Sequence, residues 1–159
     1  MDNKVVVITG ASSGIGAALA EHLGRRGASL GLVARRYDAL RATADRSGDR
    51  AFPIVADVTQ RDDVHRVVEH AIGRFGHIDV WVNNAGQGIT RQPSQLTDED
   101  IDEMMRVNVK SVLYGMQEVL PHFNLAAPAT SSTSPRCWAG CRSRRFDRRI
   151  APRSITSTP

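Results

Sequence analysis

The sequence predicts an α/β protein, a parallel sheet with helices on both faces. Strand and helix signals alternate four times between Val5 and Phe123. The first strand is a short β-branched run, typical of a strand covered on both sides. It enters a glycine-rich turn that opens a helix. An order of βαβαβαβα makes the strands parallel and puts helices on both faces.

Val5-Val6-Val7-Ile8 is the first strand. Gly10 to Gly16 forms the turn. Ala17 to Arg26 carries apolar residues at helical spacing and meets Gly27, a C-cap signal. Leu30 to Ala34 is the second strand, and Tyr37 to Arg46 the second helix. Ala51 to Ala56 is the third strand. In the third helix, Asp62 to Phe75, residues Val64, Val67, Val68, Ala71 and Ile72 share one stripe. Ile78 to Val82 is the fourth strand. A long helix from Asp98 to Phe123 opens with a Thr97 cap and acidic first-turn residues, and closes near Pro121.

The 159 residues are 41% hydrophobic and 24% charged, a globular composition with enough apolar residues for a core. No apolar run approaches the roughly 18 residues of a membrane helix, so a spanning protein is excluded. Met1-Asp2-Asn3-Lys4 leads straight into the first strand, without the features of a signal peptide. Cys137 and Cys141 are too few for a disulfide framework or an unaided zinc site, and no metal is expected. The expected location is cytoplasmic. The net charge of +4 is unevenly placed. Residues 124–159 hold seven Arg, no Lys and the single acid Asp147, whereas residues 1–123 hold 14 basic and 16 acidic residues. The basicity therefore belongs to the tail, and the chain reads as two pieces, 1–123 and 124–159.

Thr9-Gly10-Ala11-Ser12-Ser13-Gly14-Ile15-Gly16 is the first motif with chemistry in it. Gly10 permits a tight exit from the strand, Gly14 lets backbone approach a pyrophosphate, and Gly16 lets helix pack on sheet. Phosphate suits the helix N-terminus, where unpaired N–H groups and the dipole favour negative charge. The spacing is G-x-x-x-G-x-G rather than the commoner G-x-G-x-x-G. A ligand-free strand-to-helix turn is the bland alternative. A second cluster, Trp81-Val82-Asn83-Asn84-Ala85-Gly86, ends the fourth strand, expected beside the first in a Rossmann-like doubly wound sheet. With Asp57-Val58 at the end of strand three, these motifs resemble the short-chain dehydrogenase/reductase family in order and spacing, from Val5 to Phe123.

The resemblance implies an NAD(P)-dependent oxidoreductase acting on a small-molecule carbonyl or alcohol. It places Gly10, Ser12, Ser13, Gly14, Ile15 and Gly16 around the pyrophosphate and adenosine ribose, and Asp57 and Val58 beside the adenine. It puts Asn84, Ala85 and Gly86 along the adenosine–nicotinamide side, with Asn83 tying strands together. Asn108 matches the family's catalytic asparagine, which helps hold a water linked to a catalytic lysine. The resemblance also implies a homo-oligomer through the long helix, an assembly this chain is not expected to keep. Cofactor choice has a physical argument. An NAD enzyme usually carries an acid at the end of strand two, about 20 residues past the glycines. Here Arg35 and Arg36 stand there instead. Guanidinium binds a 2′-phosphate bidentately where a carboxylate would repel it. NADP(H) is favoured over NAD(H), with Arg35 the stronger ligand.

Family members carry a Ser and a Tyr-x-x-x-Lys downstream of the asparagine. By family spacing those positions hold Arg136, Ile150 and Ser154, which cannot replace them. The tail has no strand alternation or helical stripe and is crowded with Ser, Thr, Arg and Pro. One reading is a basic arm for nucleic acid or an acidic partner. Another is family sequence translated in a shifted frame. Arg149-Ile150 written CGT-ATA hides TAT, a Tyr codon. Arg153-Ser154 written CGA-AGC hides AAG, a Lys codon, and Ser134-Pro135-Arg136 hides Ser-Ser. The hidden second Ser lies 28 positions after Asn108, and the hidden Tyr 14 further on. A frameshift between about Phe123 and Ala129 is therefore expected, with no nucleic-acid partner. The remaining half is expected to be marginally stable and inactive, its sheet stopping after strand four and the long helix.

Overall fold

The structure is a computed structural model, and it describes residues 2–125. The tail, with Cys137, Cys141 and the positions read for a shifted frame, lies outside the described residues.

Four parallel strands form one sheet in the order β3-β2-β1-β4: β1 (Val5–Thr9), β2 (Ser29–Ala34), β3 (Ala51–Val55) and β4 (Val80–Val82). The switch in order falls at β1, with β2 on one side and β4 on the other. That places the carboxyl ends of β1 and β4 beside each other, as the glycine turn and the Asn-Asn-Ala-Gly cluster require. β3 is an outer strand, which accommodates Pro53 and its missing N–H.

Alternation along the strands divides the core. Val6, Ile8, Leu30 and Leu32 pack on one face with Ala20, Leu23, Leu40 and Ala44 of α1 (Gly14–Gly24) and α2 (Tyr37–Ser47). Val7, Val33 and Ile54 pack on the other with Val67, Val68 and Ala71 of α3 (Arg61–Phe75) and Val119 of α5 (Ser111–Leu125). All five residues of β1 are buried, as expected of a central strand covered on both faces.

Several boundaries differ from the sequence expectation. Helix α1 starts at Gly14 inside the glycine turn and ends at Gly24. Gly27 is not its cap. It closes the following turn at φ +75, after Arg25 and Arg26. The fourth strand shortens to Val80–Val82 because the Asp79 carboxylate takes the Val5 N–H. The long helix is interrupted. α4 (Asp98–Met105) passes into a π-helical segment, Arg106–Lys110, before α5. Pro121 does not stop α5, since it sits in the last turns, where its missing N–H removes a single bond. Thr97 caps α4 as expected, in a reciprocal capping box with Asp100. Ile101, Met105, Val109, Leu113, Met116 and Leu120 are exposed along this helical run. Among the described residues, no helix is long and apolar enough to cross a membrane.

Candidate active site

The carboxyl ends of the strands frame a cavity of about 450 Å³. Its floor and walls include Gly10, Ser12, Ser13, Ile15, Arg35, Arg36, Asp57, Val58, Asn84, Ala85 and Gly86. These eleven sequence-predicted residues come from four separate loops, and the sheet order brings them to one place.

The turn after β1 is built by close approach. Gly10 has φ +68, and a Cβ there would lie 2.8 Å from the Ala85 Cα. A Cβ on Gly16 would lie 2.5 Å from both the Asn84 Nδ2 and the Gly10 carbonyl oxygen. Gly16 therefore works from beneath the cavity rather than in its lining, letting α1 seat against the loops. Gly14 has φ +58, and a Cβ there would meet nothing within 4 Å. It is not among the residues that line the cavity, so close approach is not what the position requires; its positive φ is. The first turn of α1 has no acidic residue, and its N-cap, Ser13, makes no side-chain capping bond. The positive end of the helix dipole therefore has no side-chain cap or acidic residue against it.

The loop after β4 is tied to β1 mainly through Thr9. Its hydroxyl accepts from the backbone N–H groups of Asn84 (3.0 Å) and Ala85 (3.1 Å), and donates to the Val82 carbonyl. The Asn84 side chain donates to the carbonyls of Thr9 (3.0 Å) and Gly10 (3.3 Å). Asn84 thus performs the tie expected of Asn83, while also lining the cavity. Asn83 instead accepts from the Trp81 indole N–H at 2.8 Å. The difference is strand parity, since neighbouring residues point to opposite sides.

Asp57 is held in an Asx turn. Its Oδ1 accepts from the Thr59 N–H (3.0 Å) and hydroxyl (2.8 Å). Its own N–H donates to Asp63 Oδ2 at 2.8 Å. That N–H, with help from Arg66 and against partial burial, holds the Asp63 carboxyl below its usual range. Arg35 and Arg36 are exposed at the rim and hold no carboxylate among the described residues. Arg41, Arg46, Arg61, Arg66, Arg91 and Arg106 each hold one, whereas Arg25, Arg26, Arg50 and Arg74, away from the cavity, hold none among the described residues.

Asn108 lies in the π-helical segment, where the Ser111 N–H reaches back to the Arg106 carbonyl. Such bulges often occur at functional sites. Both polar atoms of its amide are engaged. Oδ1 accepts from the Gln87 N–H and Nδ2 donates to the Gln87 carbonyl, both at 2.8 Å. The side chain therefore pins the loop that follows Gly86. Among the described residues it reaches the cavity only through that loop, with Val107 beside it in the lining. Sequence reasoning missed Gln87, Thr59 and Val107 as lining residues, and missed Thr9 as the anchor. Thr9 stood inside the quoted motif, and its position at the strand's last residue was the available signal.

A glycine turn on a free helix N-terminus, at the switch point of a doubly wound sheet, defines a dinucleotide-binding α/β protein. The family model for short chain dehydrogenases matches residues 4–131, and the chain belongs to that family. An uncharacterized oxidoreductase of Listeria innocua is 43% identical over 124 residues, covering 76% of this chain and 50% of the relative. An 11-beta-hydroxysteroid dehydrogenase-like protein of Arabidopsis thaliana is 38% identical over 146 residues, covering 88% and 49%. Among solved structures, a 3-ketoacyl-(acyl-carrier-protein) reductase of Brucella melitensis complexed with NADH superposes with a TM-score of 0.76 at 35% identity, covering 78% and 51%. The chain spans about half the length of the relatives it matches.

Proposed function

We propose that residues 1–123 form the NADP(H)-binding part of a short-chain reductase or dehydrogenase. The observation behind this reading is the cavity itself. It runs from two guanidinium groups that hold no carboxylate among the described residues, past a helix N-terminus without a side-chain cap, to the loop after β4. The residues fit a nicotinamide dinucleotide. Arg35, with Arg36, takes the 2′-phosphate, and Asp57 and Val58 flank the adenine. Ser12, Ser13, Gly14 and Ile15 receive the pyrophosphate on the α1 N-terminus, with Gly10 and Gly16 shaping the turn. Asn84, Ala85 and Gly86 line the nicotinamide side. When bound, the nicotinamide supplies or accepts a hydride at a carbonyl or alcohol carbon. Asn108 holds the loop beneath that end.

Titration of the purified chain with NADPH and NADH, followed by calorimetry, tests this reading. NADPH is expected to bind at least about tenfold more tightly, the scale of one charge-assisted contact. Equal affinities would overturn the selectivity, and no binding of either would overturn the reading.

The family reaction also needs a proton donor, and the family positions for Ser, Tyr and Lys hold Arg136, Ile150 and Ser154. No turnover is expected of this chain, since general acid–base catalysis is missing. The DNA across codons 120–159 tests the shifted-frame origin of the tail. One inserted or deleted base restoring Ser and Tyr-x-x-x-Lys is expected. The exposed apolar run along α4 and α5 supports homo-oligomerisation of the restored protein through the long helix. The seven tail arginines favour one alternative, a non-catalytic dinucleotide-binding half with a nucleic-acid arm. It requires a salt-dependent DNA affinity that disappears when residues 124–159 are deleted.

A further inference from the structure

The loop after β4 runs on past the cluster that carries the family resemblance, and its next residue has unusual support. Gln87 has both backbone polar groups clamped by the Asn108 amide at 2.8 Å. Two antiparallel hydrogen bonds to one residue fix its backbone tightly. The side chain is in the opposite condition. Gln87 lines the cavity and is exposed, and its carboxamide makes no hydrogen bond among the described residues. A rigidly held backbone presenting a free carboxamide is a recognition element, since a carboxamide both donates and accepts.

Its place in the cavity says what it would recognise. The strand order β3-β2-β1-β4 gives the cavity a direction. Arg35, Arg36 and Asp57 stand over the ends of β2 and β3, and the N-terminus of α1 stands beyond β1. A dinucleotide with its 2′-phosphate on the arginines and its pyrophosphate on α1 has its other nucleoside over β4, where Gln87 lies. We infer that the Gln87 carboxamide hydrogen-bonds the nicotinamide-riboside half of the dinucleotide and so positions the reacting end. The inference rests on the dinucleotide reading above and adds a residue to it. Gln87 is a positioning residue, and Asn108 holds its backbone.

Two ligands separate the ends of the cavity: NADPH, and adenosine 2′,5′-bisphosphate, which lacks the nicotinamide riboside. Calorimetric titration of the full chain and of Gln87→Ala with each ligand is the test. The substituted side chain is exposed and unpartnered, so thermal melting of the variant should match the parent. The loss of one or two hydrogen bonds predicts about fivefold to tenfold weaker NADPH binding, with bisphosphate affinity unchanged. Arg35→Ala should weaken both ligands. If Gln87→Ala weakens both or neither, the Gln87 assignment is overturned while the cofactor reading stands. If the parent chain binds neither ligand, both fall together.

Discussion

At the amino ends of the strands, two polar clusters are matched internally. Asp79 accepts from Lys4 Nζ and the Val5 N–H, both at 2.8 Å, and pairs with His77. Arg50 donates to Asn3 and to the Gly27 carbonyl. At the carboxyl ends the same sheet leaves Arg35, Arg36 and the Gln87 carboxamide without partners among the described residues, and Ile15 is 81% exposed. The helix starts show the same contrast. α4 begins with a capping box and three acids, Asp98, Glu99 and Asp100, all suited to its dipole. α1 begins with neither. Around Asp79 and Arg50 the chain's own side chains close the amino end, although Arg25 and Arg26 stay exposed there, whereas the carboxyl end is shaped into a cavity. Folding accounts for the first end, and the proposed cofactor would account for the second.

The most disruptive way to break this contrast is to fill the open end from below. Gly16→Val would force a side chain into the Asn84 amide and the Gly10 carbonyl. Overpacking of that kind costs about 1–3 kcal/mol of stability. It should also abolish NADPH binding, because both cavity loops must move. Thermal melting with and without NADPH reads both effects, and parent-like behaviour would show that the close approach is dispensable. Next in size is Arg35→Ala. Hydrogen bonds to a charged group contribute about 1.5–3 kcal/mol, so NADPH affinity should fall by about 10- to 100-fold. NADH affinity should not change. An equal loss for the two would place Arg35 elsewhere than at the 2′-phosphate.

What could be read in the sequence follows the same division. The glycine turn and Asn84-Ala85-Gly86 were legible because close backbone approach demands particular residues at fixed spacing. The Thr97 cap was legible for the same reason. The π-helical segment was not. Arg106-Val107-Asn108-Val109-Lys110 has no composition that distinguishes i→i+5 bonding from i→i+4, and the tertiary partner of the bulge, the Gln87 backbone held by Asn108, is 21 residues away in sequence. The start of α1 was also hidden, because Gly14 and Gly16 look like turn residues until the helix is seen to begin among them. Gln87 carried no signal, since its role comes from what holds its backbone.

Asn108→Ala sharpens the comparison from within the open end. Removing two hydrogen bonds costs about 1–2 kcal/mol, but Ala is a better helix former by about 0.7 kcal/mol, so the net stability change is small. The effect on binding should be larger than the effect on melting. NADPH affinity should fall about threefold to tenfold through a loosened Gln87, on the scale of one hydrogen bond, with adenosine 2′,5′-bisphosphate unaffected. A large loss of stability with no ligand discrimination would make Asn108 purely a helix residue.

The smallest effect on binding belongs to the amino end. Burial works against the Asp79 charge, but hydrogen bonds from Lys4 and the Val5 N–H, with the charges of Lys4 and His77, overcome it. They hold the carboxyl below its usual range. A group whose folded pKa is depressed contributes stability above its unfolded pKa, and that contribution is lost as pH falls through the folded value. Asp79→Asn should therefore melt below the parent at pH 7. The gap should narrow as pH falls below about 4, where the unfolded carboxyl takes up its proton, and close only at the lower pH where the folded carboxylate protonates. NADPH affinity at pH 7 should stay within about twofold, because a hydrogen bond lost at the opposite end of the sheet is not shared with the ligand. A gap that ignores pH would remove the ionised carboxylate from the account of this end. A marked loss of NADPH affinity would mean that the two ends are not independent, and that the open site depends on how the far end is closed.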